Sequence, residues 1–256
     1  MAKANRIDIN CDMGESFGMY KMGLDEEVIK HISSANIACG FHAGDPMWMR
    51  TTVKLAEEIG VSIGAHTSFP DLVGFGRRDM TASPEEVKND IVYQIGALQA
   101  FTKAKKLQHV KPHGAMYNQA VNDEPLARAI CEAIQEVDPD LVLVALAGSK
   151  WVKVAKSMGL RVAREIFADR ALNPDGTLVS RTKPGSVLHD IDEVAERSLR
   201  MVTEGKAVAI TGDVIEVEAD SICIHGDTPG AVEMAAKVKK ELQAAGVSIV
   251  PVGKLV

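Results

Sequence analysis

The chain has 256 residues, of which 46% are hydrophobic and 25% charged, and its formal net charge is −6. This composition is typical of a globular protein, and the acidic balance argues against a nucleic-acid surface, which normally carries clustered Lys and Arg. The longest apolar run, residues 141–147, is far shorter than the roughly 20 residues that a membrane span needs. No apolar signal segment follows the first residues, and the four cysteines form no Cys-x-x-Cys pair. We therefore expect a reduced, cytoplasmic protein that binds neither nucleic acid nor membranes.

Eight short apolar runs predict β-strands along the chain. They lie at residues 7–11, 36–39, 61–65, 109–111, 141–146, 161–166, 221–224 and 247–250. Helical patterns separate most of these runs. Leu24, Val28 and Ile32, for example, recur every four residues and so share one face of a helix. Ser83, followed by proline and then Glu86, has the sequence of an N-cap with a capping box and starts another helix.

The alternation of strands and amphipathic helices predicts parallel β/α units. Seven or eight such units in a chain of this length favour an irregular TIM-like (β/α)7–8 barrel, and a doubly wound open sheet is the alternative. Residues 167–220 depart from the pattern. They contain a long loop, a helix near residues 192–204 and a predicted hairpin around residues 211–213. No linker or low-complexity segment interrupts residues 1–256, so we predict a single domain.

Six polar residues fall at or just after the predicted strand ends. They are Asp12, His42, His66, His113, Glu165 and His225. In an α/β barrel the active site is built at the carboxyl ends of the strands, so these side chains are expected to meet at one barrel mouth. Nothing in local structure requires histidine at four such positions. Together they indicate a functional site.

Asp45 and Asp227 have two possible roles. Each directly precedes a predicted helix start, with proline one or two residues further on, where aspartate is a favoured N-cap. A capping residue at the barrel mouth can also contact substrate, so both are kept as candidate substrate-binding residues.

Histidine and aspartate together suit general acid–base hydrolysis, because imidazole titrates near neutral pH. The same side chains could hold a divalent metal that activates water, although no His-Glu-x-x-His spacing is present. Lys111, Arg77, Arg78 and Arg181 could bind a substrate carboxylate or phosphate. Lys111 lies inside a predicted strand, whereas the arginines lie in loops where solvated charges are common.

Several nucleotide and hydrolase motifs are missing from the sequence. There is no Gly-x-x-x-x-Gly-Lys-[Ser/Thr] loop and no Gly-x-Gly-x-x-Gly after a strand. There is also no Gly-x-Ser-x-Gly nucleophile elbow. The chain therefore lacks a recognisable phosphate-binding loop, dinucleotide-binding fold or serine-hydrolase elbow of its own.

An ordered set of motifs resembles the LamB/YcsF family. The matching stretches are Asp8-Ile-Asn-Cys-Asp-Met-Gly-Glu15, Asn36-Ile-Ala-Cys-Gly-Phe-His-Ala-Gly-Asp45, Gly64-Ala-His66, Gly74-Phe-Gly-Arg-Arg78, Val110-Lys-Pro-His-Gly-Ala-Met-Tyr117, Glu165-Ile-Phe-Ala-Asp-Arg170 and Ile222-Cys-Ile-His-Gly-Asp227. They span nearly the whole chain in the expected order. One departure is Leu172, where the family pattern leads us to expect tyrosine.

The resemblance implies a barrel like those of glycoside hydrolases and metal-dependent deacetylases. It also implies the A subunit of an ATP-dependent 5-oxoprolinase, which works with subunits B and C to convert 5-oxo-L-proline to L-glutamate. ATP would bind at a site shared with, or supplied by, those partners. On this reading Asp12 or a histidine among His42, His66, His113 and His225 activates water. Lys111, Glu165, Asp45, Asp227 and Arg77 are the candidate substrate-binding residues.

Two other functions remain open at this stage. The first is a metal-dependent deacetylase that acts alone on an N-acyl sugar or a similar amide. The second is a non-catalytic subunit that binds a lactam or carboxylate while its partners perform the chemistry. Metal content distinguishes the first, and the activity of histidine variants distinguishes the second.

Overall fold

Parallel strands close into a barrel in the computed structural model, which describes residues 6–226 and 230–256. Within those residues the barrel has seven strands: β1 (Arg6–Met13), β2 (Ser34–Ala38), β3 (Ser62–His66), β4 (His109–Val110), β5 (Val142–Leu146), β6 (Arg161–Phe167) and β9 (Ser221–Cys223). Each strand pairs in parallel with the next. Pairing of Asp8 with Ser221 and of Asn10 with Cys223 closes the barrel. The predicted TIM-like barrel is therefore confirmed.

The eighth predicted strand forms but does not complete the barrel wall. It is β10 (Ser248–Ile249), and it pairs with Arg6 and Ile7 at the start of β1. The carbonyl of Ile7 accepts a hydrogen bond from the Val250 amide, and the carbonyl of Ile9 accepts one from Ser33. Carbonyls two residues apart face the same edge of a strand, so β10 lies on the β2 side of β1, at the amino end.

The helices connect the strands and cover the outside of the barrel. They are α1 (Asp25–Val28), α2 (Pro46–Ile59), α3 (Pro84–Gln99), α4 (Gly114–Ala120), α5 (Glu124–Val137), α6 (Lys150–Ser157), α7 (Ile191–Glu204) and α8 (Ala231–Ala244), with 3-10 turns at Ile29–His31 and Val252–Lys254. The predicted capping box is confirmed, because Ser83 accepts from the Glu86 amide and the Glu86 side chain accepts from the Ser83 amide. No helix within the described residues is long and apolar enough to cross a membrane.

The hydrophobic core lies mainly between the barrel wall and the helices. On β1 the apolar residues Ile7, Ile9 and Cys11 are fully buried in this core, together with Ile91 of α3 and Ile134 of α5. A much smaller apolar cluster, Val142, Val144, Ala163 and Val252, is separate from it. Burial of the wall against the helices is therefore the main hydrophobic contribution to stability.

The inside of the barrel is largely polar. The alternate residues Asp8, Asn10 and Asp12 of β1 hydrogen-bond to side chains from other strands of the barrel. Because side chains alternate between the two faces of a strand, these three face the interior. Space is tight there, since a Cβ added to Gly64 would lie 2.2 Å from the imidazole of His109. Glycine at position 64 lets His109 cross the barrel next to β3.

The segment between β6 and β9 is the irregular part of the barrel. Short antiparallel bridges join Arg170 to Val187 and Leu172 to Leu178. After α7, the strands β7 (Lys206–Val208) and β8 (Val214–Glu216) form the predicted hairpin. Leu172 is buried, and its carbonyl accepts a hydrogen bond from Ile210. Leu172 therefore helps to fold this insertion onto the barrel.

Candidate active site at the barrel mouth

A cleft of about 680 Å³ opens at the carboxyl ends of the strands. It is bounded by the barrel, by the start of α4 and by residues 175–182 of the insertion. Seven of the residues predicted to form the site line it: Asp12, His66, Arg77, Lys111, His113, Arg181 and His225. Four of these, Asp12, His66, His113 and His225, belong to the set of strand-end residues that was expected to meet at the barrel mouth.

A buried lysine lies between two carboxylates at the base of the cleft. The Lys111 Nζ is 2.6 Å from Asp12 Oδ1 and 3.5 Å from Glu165 Oε1, and it donates to Cys223 Sγ at 3.2 Å. Lys111 is only 2% exposed. Tyr117 donates its hydroxyl to Glu165 Oε2 at 2.7 Å. Lys111 therefore donates hydrogen bonds to Asp12 and Cys223 and forms an ion pair with Glu165.

The charges around Lys111 determine which of these buried side chains are ionised. Burial alone would raise the pKa of Asp12, but the positive charges of His66 and Lys111 outweigh it and hold that pKa well below its usual range. Burial alone would lower the pKa of Lys111, but Asp12, Cys223 and Glu165 raise it well above its usual value. Asp12 and Lys111 are therefore both charged at neutral pH. Burial raises the pKa of Glu165, and Asp12 adds to that effect.

Two amide side chains and a histidine hold Asp12 from inside the barrel. Asn36 donates to Asp12 Oδ1 at 2.8 Å and to the side-chain oxygen of Asn10 at 2.7 Å. The Nε2 of His109 lies 2.7 Å from the Asn36 side-chain oxygen, so it is the donor and fixes which way this amide points. Asn10 donates in turn to Glu165 and Ser221. The two carboxylates that flank Lys111 therefore have set positions.

Three histidines and a glutamate cluster on one side of Asp12. The ring of His42 stacks on that of His113 at 3.9 Å, and its Nε2 lies 3.1 Å from Glu15 Oε1. The Nδ1 of His66 donates to the Lys111 carbonyl at 2.7 Å, and the Nε2 of His113 donates to the Phe75 carbonyl at 2.9 Å. A carbonyl can only accept, so these two contacts settle where one proton sits on each ring.

The two remaining nitrogens of His66 and His113 face each other. His66 Nε2 and His113 Nδ1 are 2.9 Å apart, and Asp12 Oδ2 is 3.3 Å from His66 Nε2. Burial and the neighbouring histidines hold the pKa values of His42 and His113 well below the usual range, so both rings are neutral at neutral pH. With each ring donating its other nitrogen to a carbonyl, the two facing nitrogens present lone pairs to each other. The pair can therefore accept one proton, with Asp12 as the nearby counter-ion, or hold a metal ion.

The donor atoms of this cluster fit a divalent metal in kind. Glu15, His42, His66 and His113 are buried and each offers one ligand atom, all within 4.8 Å of one another. Imidazole nitrogens with one carboxylate oxygen suit zinc and similar ions. The facing nitrogens His66 Nε2 and His113 Nδ1 would be two of the ion's ligands. The cluster could therefore hold a metal ion.

The opposite wall of the cleft carries a second chain of polar contacts. The Nδ1 of His225 lies 2.9 Å from both carboxylate oxygens of Asp169, so His225 donates there. Its Nε2 is then the acceptor for the guanidinium of Arg181, at 3.2 Å. Burial alone would raise the pKa of Asp169, but His225 outweighs it and lowers that pKa. His225 therefore joins Asp169 to Arg181, and ligand atoms of His225, Asp12 and Cys223 lie within 4.8 Å of one another.

Among the described residues, His42, Glu165 and Asp45 do not line the cleft. His42 is fully buried behind His113, and Glu165 is fully buried behind Lys111. Asp45 is the N-cap of α2: its carboxylate accepts from the amides of Met47 and Trp48, and it also accepts from Gly18. Its predicted capping role is confirmed. Asp227 lies outside the described residues.

Several residues of the site were not identified from the sequence. Glu15, Tyr117 and Asp169 stand inside the family motifs, but the sequence alone indicates no role for them. Asn36, which begins another of these motifs, and His109 lie within predicted strands. A signal was available, because polar residues two apart in a buried strand indicate a polar interior face.

The fold and the cleft define a β/α barrel with its site at the carboxyl ends of the strands, where enzymes of this architecture carry out their chemistry. The chain belongs to the LamB/YcsF family, whose model matches residues 7–256.

Comparisons with individual proteins agree with this assignment. The chain is 57% identical over 253 residues to a 5-oxoprolinase A subunit of Thermococcus onnurineus, covering 98% of this chain and 99% of the relative. It is 56% identical over 252 residues to the corresponding 5-oxoprolinase subunit of Clostridium beijerinckii, with coverage of 98% and 99%.

Solved structures share the fold. A lactam utilization protein from Thermus thermophilus superposes with a TM-score of 0.90 at 49% identity, covering 96% of this chain and 99% of that one. A family 4 carbohydrate esterase from Streptomyces lividans has a TM-score of 0.53 at 10% identity, with coverage of 97% and 93%. The second similarity concerns the fold alone.

Proposed function

We propose that this chain is the A subunit of an ATP-dependent 5-oxoprolinase, a hydrolase acting on a cyclic amide C–N bond. It would open the lactam ring of 5-oxo-L-proline to give L-glutamate, with ATP hydrolysed to ADP and phosphate. The observation that carries this proposal is the meeting of Asp12, His66 and His113 in one cleft of a chain that matches 5-oxoprolinase A subunits over its full length.

The chemistry gives a reason for partner subunits. A five-membered lactam is stable, and its hydrolysis needs activation, which a phosphoryl group on the amide oxygen would supply. The sequence contains no Gly-x-x-x-x-Gly-Lys-[Ser/Thr] loop of its own. Subunits B and C would therefore carry much of the phosphorylation, with ATP bound there or at a shared site. The barrel would then receive the activated lactam, and the complex would work in the cytoplasm.

The residues of the cleft suit the hydrolytic half of this reaction. Water adds to the phosphorylated ring carbon as its proton passes to the His66–His113 pair, and the ionised Asp12 stabilises the positive charge. The ring C–N bond then breaks and the nitrogen takes a proton. The product is an acyl phosphate, which a second water hydrolyses to glutamate and phosphate. Lys111 would keep Asp12 ionised.

A metal ion would add to the same cluster. Glu15, His42, His66 and His113 are the residues that would hold it, and the ion would supply Lewis acidity and lower the pKa of water. The chain's own contribution is the fixed direction of the imidazoles, set by the carbonyls of Lys111 and Phe75.

The test is release of glutamate from 5-oxoproline and ATP by the purified chain, with and without subunits B and C. We expect release only in the complete mixture, and loss of release with His113→Ala. His31→Ala is the matched control, because His31 lies between α1 and β2, at the opposite end of the barrel. No release from any combination of wild-type proteins would refute the proposed function. Full release with His113→Ala would refute the catalytic role of the cluster.

The histidine–glutamate cluster also favours a second candidate, a metal-dependent amide hydrolase that acts alone. That function requires stoichiometric metal in the purified chain and activity that a chelator removes. Metal-free protein that supports full 5-oxoproline turnover with its partners would exclude it.

A further inference from the structure

The substrate's negative charge needs a partner other than Lys111. The ammonium of Lys111 is already shared by Asp12, Glu165 and Cys223, and a third carboxylate would displace one of them. A buried charge that loses its counter-ion is strongly destabilising. The cation that meets a substrate anion must therefore come from another part of the cleft.

Arginines supply that charge, two from the insertion and one from the loop between β3 and α3. Among the described residues that line the cleft, three are arginines: Arg77, Arg170 and Arg181. Burial lowers the pKa of Arg170 to about 10, and the charges of Arg181 and Arg77 act in the same direction. The charges of Arg181 and Arg77 therefore both repel that of Arg170, and an anion bound in the cleft that all three line would relieve this repulsion.

Two of these arginines are held in place by contacts that leave them at the cleft. Arg170 is only 5% exposed, and it donates from Nε to the Ser186 carbonyl and from Nη2 to the Val179 carbonyl. Arg181 is directed by His225, which Asp169 in turn orients. These contacts set the positions of the guanidinium groups before a ligand arrives, which lowers the cost of binding.

We propose that Arg77, Arg170 and Arg181 form a subsite for a phosphoryl group, and that His225 is a positioning residue for Arg181. Planar guanidinium groups bind phosphate oxygens bidentately, and three of them suit a tetrahedral dianion better than a single carboxylate. The subsite rests on the proposed function to the extent that an activated lactam carries such a group. The phosphates of a nucleotide share the same chemistry.

The test is calorimetric titration of the purified full-length chain with inorganic phosphate, and in a second arm with ATP. We expect wild type to bind phosphate, and Arg181→Gln and Arg77→Gln to bind it about tenfold to a hundredfold more weakly, since each removes charge-assisted hydrogen bonds. Both side chains are exposed, so the variants should fold. Arg128→Gln on α5 is the control, because it removes the same charge from an exposed ion pair with Glu124.

The role of His225 has its own readout. His225→Ala should weaken phosphate binding in the wild-type background and change it little in the Arg181→Gln background, because His225 acts through Arg181. Equal weakening in both backgrounds would refute the positioning role.

The two arms identify the source of the phosphoryl group. If phosphate and ATP bind with similar affinity, the subsite takes the phosphoryl group of a small substrate. If ATP binds much more tightly and this binding is lost in Arg181→Gln, the subsite takes the phosphates of a nucleotide. No phosphate binding by wild type, or equal binding by Arg181→Gln, Arg77→Gln and wild type, would overturn the subsite. Arginine-dependent phosphate binding by a chain whose complex releases no glutamate would keep the subsite and refute the proposed function.

Discussion

Replacing Lys111 with methionine should destabilise the folded chain in a pH-dependent way. Methionine has nearly the same length and fills the same space, but it leaves Asp12 and Glu165 without their shared counter-ion. In wild type these carboxylates lie 2.6 Å and 3.5 Å from Lys111 Nζ, and both are buried. Removing one partner of a buried ion pair costs about 3–5 kcal/mol, so we expect a loss of that size near neutral pH.

The sign of the pH dependence follows from the pKa directions. The pKa of Asp12 in the folded chain lies below its unfolded value, so its pairing stabilises the chain above about pH 4 and is lost as pH falls through the folded pKa. The pKa of Lys111 in the folded chain lies above its unfolded value, so its contribution is complete below about pH 10 and is lost as pH rises through the folded pKa. The pair therefore adds a constant stability around neutrality.

Without Lys111, burial raises the pKa of both carboxylates. The unfolded chain then binds fewer protons than the folded one, and stability falls as pH rises, by about 1.4 kcal/mol per pH unit for each carboxylate that titrates. Urea unfolding of Lys111→Met and wild type at about pH 5 and about pH 8 measures this difference. Lys88→Met is the control, since Lys88 is paired with Glu136 at the surface. A variant that loses under about 1 kcal/mol at the higher pH, or loses the same at both, would refute the reasoning.

Three further predictions concern other parts of the molecule. In the reconstituted complex, His66→Ala should lower kcat for 5-oxoproline at least about a hundredfold, in line with loss of a general base; retention of kcat would contradict its role. Burial raises the pKa of Asp8 to about 6. The free energy of unfolding of wild type should therefore fall by up to about 3 kcal/mol as pH rises from about 4 to about 6. Urea unfolding of Asp8→Asn should show no such fall. Asp45→Ala should cost about 1 kcal/mol through loss of the α2 cap with KM unchanged, and a raised KM would instead support the predicted contact with substrate.

Much of the fold could be predicted because each strand is a short apolar run followed by a turn. The predicted strands lie within two residues of the observed ones, and proline and serine or aspartate mark helix starts such as that of α3. The place of β10 could not be predicted. Its short apolar run looks like the others. Only its pairing with Arg6 and Ile7 shows that it lies at the amino end of β1, on the same edge as β2.

The candidate site could be predicted in position but only partly in roles. Strand-end residues converge in any parallel barrel, which is why Asp12, His66 and His113 could be grouped from sequence. Which charges meet depends on distances across the barrel that sequence order does not contain. Lys111 was expected to hold a substrate carboxylate, yet it lies between Asp12 and Glu165, ninety-nine and fifty-four residues away along the chain.

The polar interior of β1 links the mouth of the barrel to its closed end. Asp8 accepts from Ser33, Ser34 and Ser221, and the amides above it extend these contacts to the mouth. Each donor among these hydrogen-bonded side chains has an assigned acceptor. Replacing one side chain therefore leaves a neighbouring buried group unpaired.

Substitutions, natural or engineered, should therefore be tolerated differently in the loop that carries Arg181 and in the barrel interior. The loop that carries Arg181 lies outside this interior network and can change to accept another ligand. The inward positions of β1 can change only together with their partners on β2, β6 and β9. Changes in ligand preference are therefore expected mainly in the wall of the cleft that carries Arg181.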